Sequence, residues 1–189
     1  MGNFSRSRSK PKGRGLDPLN ATSELESLTA EQVEEKARNI LLNRLSRGPR
    51  SKQQLRELLV AREIPEEIRE LLLERFEDVG LIDDKKFAEI FARDRRNSRG
   101  LAIRSVAQKL REVGVSQEDA QQALEQFEDG SDLELATELL QRRWNSLRVL
   151  DWETRRRRVF GYLGRRGFGS STIAAALQSV ERADESNTP

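Results

Sequence analysis

The sequence predicts an all-α protein in which three tandem three-helix modules form an elongated, curved rod. Between residues 29 and 183 the apolar residues recur with helical spacing, and no alternating stretch is long enough for a β-strand. The apolar pattern also repeats along the chain, with glycines between the periodic segments, where chain reversals are expected. A three-helix unit of this size buries little apolar surface by itself, so we expect neighbouring units to abut and share stability.

The repeat becomes visible when three segments are aligned on a leucine that is followed five residues later by another apolar residue. The three sets are Leu59, Ile64 and Leu71; Leu110, Val115 and Leu124; and Leu163, Phe168 and Leu177. The first leucines are offset by 51 and then 53 residues. The five-residue step crosses Gly114 or Gly167 in the later copies, whereas the first copy has Glu63 there and runs seven rather than nine residues to its last leucine.

These offsets predict module 1 over residues 29–80, module 2 over 81–130 and module 3 over 131–183. The predicted helices are 32–47, 52–61 and 65–78, then 84–97, 101–113 and 116–128, then 132–149, 152–166 and 170–182. Helix caps are predicted from the spacing of Thr29 with Gln32, Ser51 with Gln54, Ser116 with Asp119 and Ser131 with Glu134, and Pro65 suits a first helical position.

Residues 1–28 and 184–189 are predicted to be disordered segments outside the modules. Residues 1–15 contain five basic residues and no acid, among Ser, Gly and Pro, so they form a basic arm without a pattern of apolar residues to bury. Two interpretations of this arm stay open, a solubilising tail and an electrostatic contact with nucleic acid.

The composition of the 189-residue chain excludes several kinds of active site. The chain contains no Cys and no His, which excludes disulfides, thiolate nucleophiles, Cys- or His-ligated metals and Ser-His or Cys-His catalytic pairs. Asp83 and Asp84 are adjacent acids at a predicted helix start, where capping is a simpler interpretation than metal binding. We therefore expect no enzyme activity, no metal and no cofactor.

No segment has the features of a secretory signal, and no run of about 18 apolar residues occurs. We therefore expect a cytoplasmic protein that does not contact a membrane.

The formal net charge of +2 conceals a strong segregation of charge along the chain. Residues 57–84 sum to −7 and residues 115–139 to −8, and these spans include the third helix of modules 1 and 2. Residues 92–112 sum to +5, and residues 142–166, with nine Arg, sum to +7. Such Arg-rich blocks suit bidentate contacts with phosphates or carboxylates. The alternative for any single Arg is that it binds no partner, lies on a solvated helix face and balances the negative charge of the acidic helices.

The candidate binding residues are arginines of the two basic blocks: Arg93, Arg95, Arg96 and Arg99, then Arg104 and Arg111, then Arg155, Arg158, Arg165 and Arg166. On the helix predicted at 152–166, Trp152, Val159, Phe160 and Leu163 are expected to form the apolar face. Arg156 points towards that face in the first turn, so we expect it to snorkel or to pair with an acid.

A tandem helix-turn-helix DNA reader is an alternative, because three short helices with a glycine turn also describe that class of protein. Its recognition helix would be the third helix of each module, and in modules 1 and 2 this helix is strongly acidic. A DNA groove would repel such helices. We therefore expect no sequence-specific readout, while contact between the basic helices and a DNA backbone stays open.

One part of the chain resembles a known family. The run Gly80-Leu81-Ile82-Asp83-Asp84-Lys85-Lys86-Phe87-Ala88, followed by Arg93, Arg95, Asn97, Arg99 and Gly100 and by the Leu110 to Val115 turn, is similar to the RecX family of bacterial recombination regulators. The resemblance covers residues 36–180. Glu63 stands where the family commonly has a turn glycine, and Leu101 and Ala102 follow Gly100 where an aromatic residue and a second glycine are common.

The resemblance implies a protein of three-helix modules that binds RecA recombinase and lies along the groove of the RecA–DNA filament. Family members restrain RecA: they lower its ATPase and strand-exchange activities and hinder filament growth, which also affects cleavage of the LexA repressor. The expected partners are therefore RecA and the RecA–DNA filament, with at most weak nonspecific contact to DNA, and the chain is expected to be a monomer. A sequence-nonspecific DNA-binding helical protein is the alternative function.

Overall fold

The computed structural model describes residues 28–127 and 130–186, and these ranges contain ten α-helices and no β-strand. The helices are α1 (Ala30–Leu45), α2 (Lys52–Val60), α3 (Glu66–Asp78), α4 (Asp84–Arg99), α5 (Ile103–Glu112), α6 (Gln117–Leu124), α7 (Ser131–Gln141), α8 (Trp144–Leu147), α9 (Trp152–Gly164) and α10 (Ser170–Ser186). The predicted all-α fold with tandem three-helix modules is confirmed. The basic arm lies outside the described residues, and α10 extends into the predicted C-terminal tail.

Each module has its own hydrophobic core, and the leucines of the sequence repeat lie at its centre. Leu41 and Leu59 are fully buried between the helices of module 1. Phe87 and Leu110 are buried in module 2, and Leu163 is fully buried in module 3. The repeat in the sequence is therefore a repeat of core positions.

The five-residue step of the repeat forms the same turn in all three modules, at the end of α2, α5 and α9. The backbone N–H of the later apolar residue donates to the carbonyl oxygen of the leucine five positions before it, as in a Schellman motif. The three hydrogen bonds are Ile64 to Leu59 at 3.1 Å, Val115 to Leu110 at 3.1 Å and Phe168 to Leu163 at 3.3 Å. All six side chains are buried, so each turn is also a core contact.

The last position of the repeat is regular in module 1, contrary to the prediction. Leu71 is 40% exposed, whereas Leu73 is fully buried. Leu73 lies nine residues after Ile64, as Leu177 does after Phe168. The alignment on Leu71 was wrong, because three consecutive leucines occur there and only packing shows which of them faces the core.

Modules 1 and 2 meet at a joint, called the first joint, where the start of α2 abuts the end of α5 and the start of α4. The Ser51 hydroxyl donates to the Val113 carbonyl oxygen at 2.5 Å, and the Lys52 backbone N–H donates to the Asp84 carboxylate at 2.7 Å. The first backbone N–H groups of a helix have no partner within that helix. Asp84 therefore caps a helix of the neighbouring module.

Modules 2 and 3 meet at the second joint, which has the same design. The Ala102 backbone N–H donates to the Arg166 carbonyl oxygen at 3.0 Å, and the Ile103 backbone N–H donates to the Asp132 carboxylate at 3.1 Å. In both joints an acid at the start of a module's first helix caps the second helix of the module before it. In both, that second helix also contacts the end of the next module's second helix.

The joints explain why modules 2 and 3 have a turn glycine and module 1 does not. A Cβ atom at Gly114 would lie 2.2 Å from Cβ of Gln53, and one at Gly167 would lie 1.9 Å from Oγ of Ser105, in each case a residue of the preceding module. No module precedes module 1 among the described residues. Glu63 occupies its turn at a φ of +58°, so the departure from the family pattern follows from the place of module 1 at the end of the row.

The first helix of module 3 is divided, whereas the sequence predicted one helix over 132–149. Arg142 and Arg143 separate α7 from α8, and Trp144 at the start of α8 is buried in the core of module 3. Ser131 is the first residue of α7 and not its cap, because Gly130 takes that position with a φ of +90°. The predicted cap at Ser131 was therefore wrong, while the hydroxyl caps at Thr29, Ser51 and Ser116 are confirmed.

The apolar face of α9 was predicted correctly at Val159, Phe160 and Leu163 but not at Trp152. Val159 and Leu163 are fully buried and Phe160 packs against the core, whereas Trp152 is 60% exposed. Trp152 is the first residue of α9, so it lies at the helix end beyond the core. The Arg156 guanidinium lies 5.5 Å from the Trp152 ring centroid and 5.0 Å from that of Phe160, which agrees with the predicted snorkelling.

Candidate functional site

The second joint forms a basic groove, here called the central groove, with a volume of about 560 Å³. Its charged lining residues are Arg95, Arg99, Lys109, Arg165, Arg166 and Glu112. Five of these six are basic, and they come from modules 2 and 3. The two basic blocks that are separate in the sequence therefore meet on one surface.

Stacking on aromatic rings positions two arginines of the central groove. The Arg95 guanidinium lies 4.5 Å from the Phe91 ring centroid, and the Arg166 guanidinium lies 3.9 Å from the Tyr162 ring centroid. Arg166 also donates to the Tyr162 carbonyl oxygen at 3.2 Å. Such cation–π contacts restrict a long side chain without neutralising its charge. Arg95 also pairs with the Asp94 carboxylate at 3.4 Å, whereas Arg166 forms no ion pair among the described residues, so its guanidinium group is able to bind an anion.

A second concavity, here called the α9 pocket, adjoins the central groove. Its volume is about 370 Å³, and its polar lining residues are Arg143, Arg157, Arg158, Arg165, Ser146 and Tyr162. Arg165 lines both concavities, so the two are neighbours. Sequence reasoning missed Arg143 and Arg157. The break between α7 and α8 that places Arg143 opposite α9 has no signal in the helical periodicity, and Arg157 lines the pocket only because Arg143 lies there.

Module 1 extends the basic surface beyond the central groove. Arg47 and Arg50 line a concavity of about 310 Å³ together with Phe91 and Arg95. Burial lowers the pKa of Arg50, and the charge of nearby Arg44 lowers it further. Sequence reasoning missed Arg47 and Arg50 because they lie in the turn between two helices, where no periodicity marks an exposed face.

Two of the candidate arginines hold the protein together and are not part of an exposed surface. Arg96 is 4% exposed, and its guanidinium donates to the Asp132 carboxylate at 2.5 Å. Arg155 pairs with Glu181 of α10 at 3.2 Å, and its side chain is 19% exposed. Placing both among the surface contacts was wrong, because helical periodicity cannot show that an acid from another helix covers them. We therefore leave Arg96 and Arg155 out of the candidate site.

The other candidates outside the central groove are exposed. Arg104 and Arg111 lie on the solvent face of α5, and Arg158 lines the α9 pocket. Arg93 is exposed on α4 and donates to the Gln126 side chain at 3.1 Å. Of these four side chains, only that of Arg158 lines one of the two concavities.

Two of the six acids on the third helix of module 1 form ion pairs within their own module. Arg56 of α2 makes two hydrogen bonds of 2.8 Å to the Glu70 carboxylate, and Lys52 lies 2.6 Å from Glu77. The first of these contacts lowers the pKa of Glu70 and raises that of Arg56. Neither acid lines the central groove, so the segregation of charge seen in the sequence persists on the surface.

Within residues 28–127 and 130–186, no three acids are grouped so that they could hold a metal ion. No helix in that part of the chain is long and apolar enough to cross a membrane.

Family models for the RecX protein match all three modules. The model of the first three-helix domain matches residues 37–76, that of the second matches 83–124 and that of the third matches 131–177. Two crystal structures of RecX proteins are similar in fold. One, from Lactobacillus salivarius, has a TM-score of 0.70 at 22% identity and covers 80% of this chain and 98% of its own. The other has a TM-score of 0.68 at 26% identity and covers 89% and 82%.

Curated relatives are similar over most of their length. The regulatory protein RecX of Streptomyces coelicolor is 41% identical over 152 residues, which cover 80% of this chain and 81% of the relative. That of Thermobifida fusca is 38% identical over 144 residues, covering 76% and 78%. With three family models matched in order and relatives of this similarity, the chain belongs to the RecX family of regulatory proteins.

Proposed function

We propose that this chain binds RecA recombinase and its DNA filament in the bacterial cytoplasm and inhibits RecA ATPase activity, strand exchange and filament growth. It acts by binding as a monomer and not by catalysis. Family membership supports the choice of partner. The observation that carries the choice of surface is the central groove, where five basic side chains from two modules meet.

The chemistry of the central groove suits a filament made of protein and DNA. Arginine guanidinium groups bind phosphates and carboxylates in the same bidentate geometry. Arg99 and Arg165 are exposed on the two neighbouring modules that form the groove, so one partner surface can contact both. Contacts of this kind are screened by salt over about 8 Å at physiological ionic strength, so added salt should weaken both binding and inhibition.

The test is DNA-dependent ATP hydrolysis by RecA, measured at concentrations of this protein too low to coat the DNA. We expect wild-type protein to lower the rate. The triple variant Arg99→Glu, Lys109→Glu, Arg165→Glu should lose most of this inhibition while its circular dichroism spectrum stays unchanged, because all three side chains are exposed.

The matched control is the triple variant Lys85→Glu, Arg142→Glu, Arg182→Glu, which makes the same change of charge at exposed positions outside the groove. It should inhibit like wild type. Equal loss in both triple variants would show that only net charge matters. Full inhibition by the groove variant would place the interface elsewhere.

Sequence-nonspecific DNA binding is the second candidate function, and the arginine-rich lining of the groove favours it. The two candidates differ in their dependence on RecA. If this protein affects RecA only at concentrations at which it saturates DNA without RecA, competition for DNA explains the effect and the primary proposal is wrong.

A further inference from the structure

The α9 pocket holds four arginines that form no ion pair within 4.0 Å among the described residues, unlike three other arginines of the same block. Residues 142–166 contain nine arginines. Three of them outside the pocket form ion pairs: Arg142 with Glu138, Arg148 with Asp184 and Arg155 with Glu181. The remaining two outside the pocket, Arg156 and Arg166, stack on aromatic rings.

The four arginines that line the pocket are Arg143, Arg157, Arg158 and Arg165. Among the described residues, no carboxylate lies within the 4.0 Å ion-pair distance of any of them, and no acid lines the pocket. Four like charges around one concave surface repel one another, and a bound anion would relieve that repulsion. The pocket therefore has the electrostatics of a site for a multiply charged anion.

The local structure keeps the pocket open and its arginines in place. The Arg143 guanidinium lies 4.5 Å from one ring, that of Tyr162, which Arg166 also contacts at 3.9 Å. Gly161 lines the pocket in the middle of α9, and a Cβ atom there would lie 3.3 Å from Nη1 of Arg165. Glycine in a helix interior is unfavourable. At this position its lack of a side chain leaves the floor of the pocket open.

We propose that the α9 pocket binds the oligophosphate group of a small molecule, such as inorganic triphosphate or the triphosphate tail of a nucleotide. Arginine forks bind phosphate oxygens bidentately, and four of them match an anion with several charges. The volume of about 370 Å³ lies within the range of small-molecule sites, about 300–1,000 Å³. This inference concerns a free small anion and does not depend on the proposed binding of RecA.

The first test titrates wild-type protein with inorganic triphosphate and measures heat release and melting temperature, against sodium chloride of equal ionic strength. We expect saturable binding and a rise in melting temperature. The variant Arg143→Gln, Arg157→Gln should bind at least about ten-fold more weakly, since each lost charge-assisted contact contributes on the order of a ten-fold factor. The control Arg142→Gln, Arg156→Gln, with the same loss of charge on neighbouring residues outside the pocket, should bind like wild type.

A pair of glycine variants separates binding from folding. Gly161→Ala should raise the melting temperature, because it removes a helix-interior glycine, yet weaken triphosphate binding by displacing Arg165. Gly164→Ala is the matched control, because a Cβ atom there meets nothing within 4 Å. It should leave the affinity unchanged and, because Gly164 is the last residue of α9, raise the melting temperature less than Gly161→Ala does.

Parallel titrations with ATP and adenosine distinguish the sources of the phosphate. Binding of triphosphate and ATP with similar affinity, and none of adenosine, would assign the site to the phosphate chain. The proposal is overturned if triphosphate has no effect beyond that of sodium chloride, or if the control arginine variant loses as much affinity. It is also overturned if a single-stranded oligonucleotide binds through Arg143 and Arg157 and triphosphate does not displace it, since the pocket would then be a nucleic-acid site.

Discussion

The first and second joints share one backbone plan but differ in how they accommodate the acid that caps the helix. Asp84 in the first joint accepts the Lys52 backbone N–H without a basic side chain bonded to it, and burial raises its pKa. Asp132 in the second joint accepts the Ile103 backbone N–H and also pairs with buried Arg96. The same cap is therefore a desolvated charge in one joint and half of an ion pair in the other.

The joint that contains the ion pair is the one that forms the central groove. The second joint brings Arg99 of module 2 and Arg165 of module 3 into the lining of the same central groove. Arg96 connects α4 to Asp132 and to the Ser131 carbonyl oxygen at the start of α7. The buried pair thus fixes the relative position of the two modules whose arginines form the groove.

The largest expected effect comes from removing the acid of the second joint. Asp132→Ala leaves the Arg96 charge buried without its carboxylate partner, and breaking a fully buried pair in this way costs about 3–5 kcal/mol. Because the Asp132 side chain is 31% exposed and Arg96 keeps hydrogen bonds to Ser131, we expect a loss at the lower end of that range. Urea unfolding measures this loss. Glu138→Ala, which removes an exposed pair with Arg142 on the same helix, should cost at most about 1 kcal/mol. Equal effects would mean that the buried pair does not stabilise the joint.

Next in size are alanine substitutions at the turn glycines of the joints. Gly114→Ala and Gly167→Ala combine a positive φ, which costs about 1–2 kcal/mol outside glycine, with overpacking against the preceding module, which costs about 1–3 kcal/mol. Gly80→Ala has a similar φ of +71° but no atom within 4 Å of the added Cβ. It should show only the first cost in thermal unfolding. If all three variants are equally unstable, joint packing does not explain the glycines.

In module 1 the reverse substitution, from a residue with a side chain to glycine, should stabilise the turn. Glu63 occupies the equivalent turn at a φ of +58°, and among the described residues no module precedes it. Glu63→Gly should therefore stabilise the protein, by about 1 kcal/mol, as measured by denaturant unfolding. A destabilised variant would show that the Glu63 side chain makes a contact that matters more than its backbone strain.

The smallest effect concerns the charge of the first joint. Asp84→Asn keeps an oxygen acceptor for the Lys52 N–H and removes a desolvated charge near Asp119 and Glu77, so at neutral pH the variant should be at least as stable as wild type. Because the folded-state pKa of Asp84 is raised, wild type gains stability as pH falls through that pKa towards 3.8. The difference in unfolding free energy between Asp84→Asn and wild type, measured at a series of pH values, should therefore shrink as the pH falls. A difference that grows instead would contradict the burial of an unpaired charge.

The module architecture could be predicted from the sequence because its signals are local. The hydrogen bond between Ile64 and Leu59 closes within one turn of chain, and hydroxyl caps such as Ser51 act on residues three positions away. Helix periodicity placed most core residues for the same reason. The error at Leu71 arose where adjacent leucines made the local signal ambiguous.

The candidate site was harder to predict because its signals are not local. Arg96 meets Asp132, which is 36 residues away, and Arg155 meets Glu181, which is 26 residues away. Nothing in the periodicity of α4 or α9 shows that these arginines are covered. Arg143 joins the α9 pocket because of a helix break that packs Trp144 into the core, which also depends on distant residues.

The central claim is that Arg99 and Arg165, held together by the second joint, form the surface that binds the RecA–DNA filament. The most direct measurement is co-sedimentation of this protein with preformed filaments over a range of salt concentrations. We predict that the double variant Arg99→Glu, Arg165→Glu loses most of its binding to filaments at low salt. The control variant Lys85→Glu, Arg182→Glu should bind like wild type. Wild type and the control should both dissociate from filaments as salt is added. Retention of the groove variant on filaments at wild-type affinity would contradict the account.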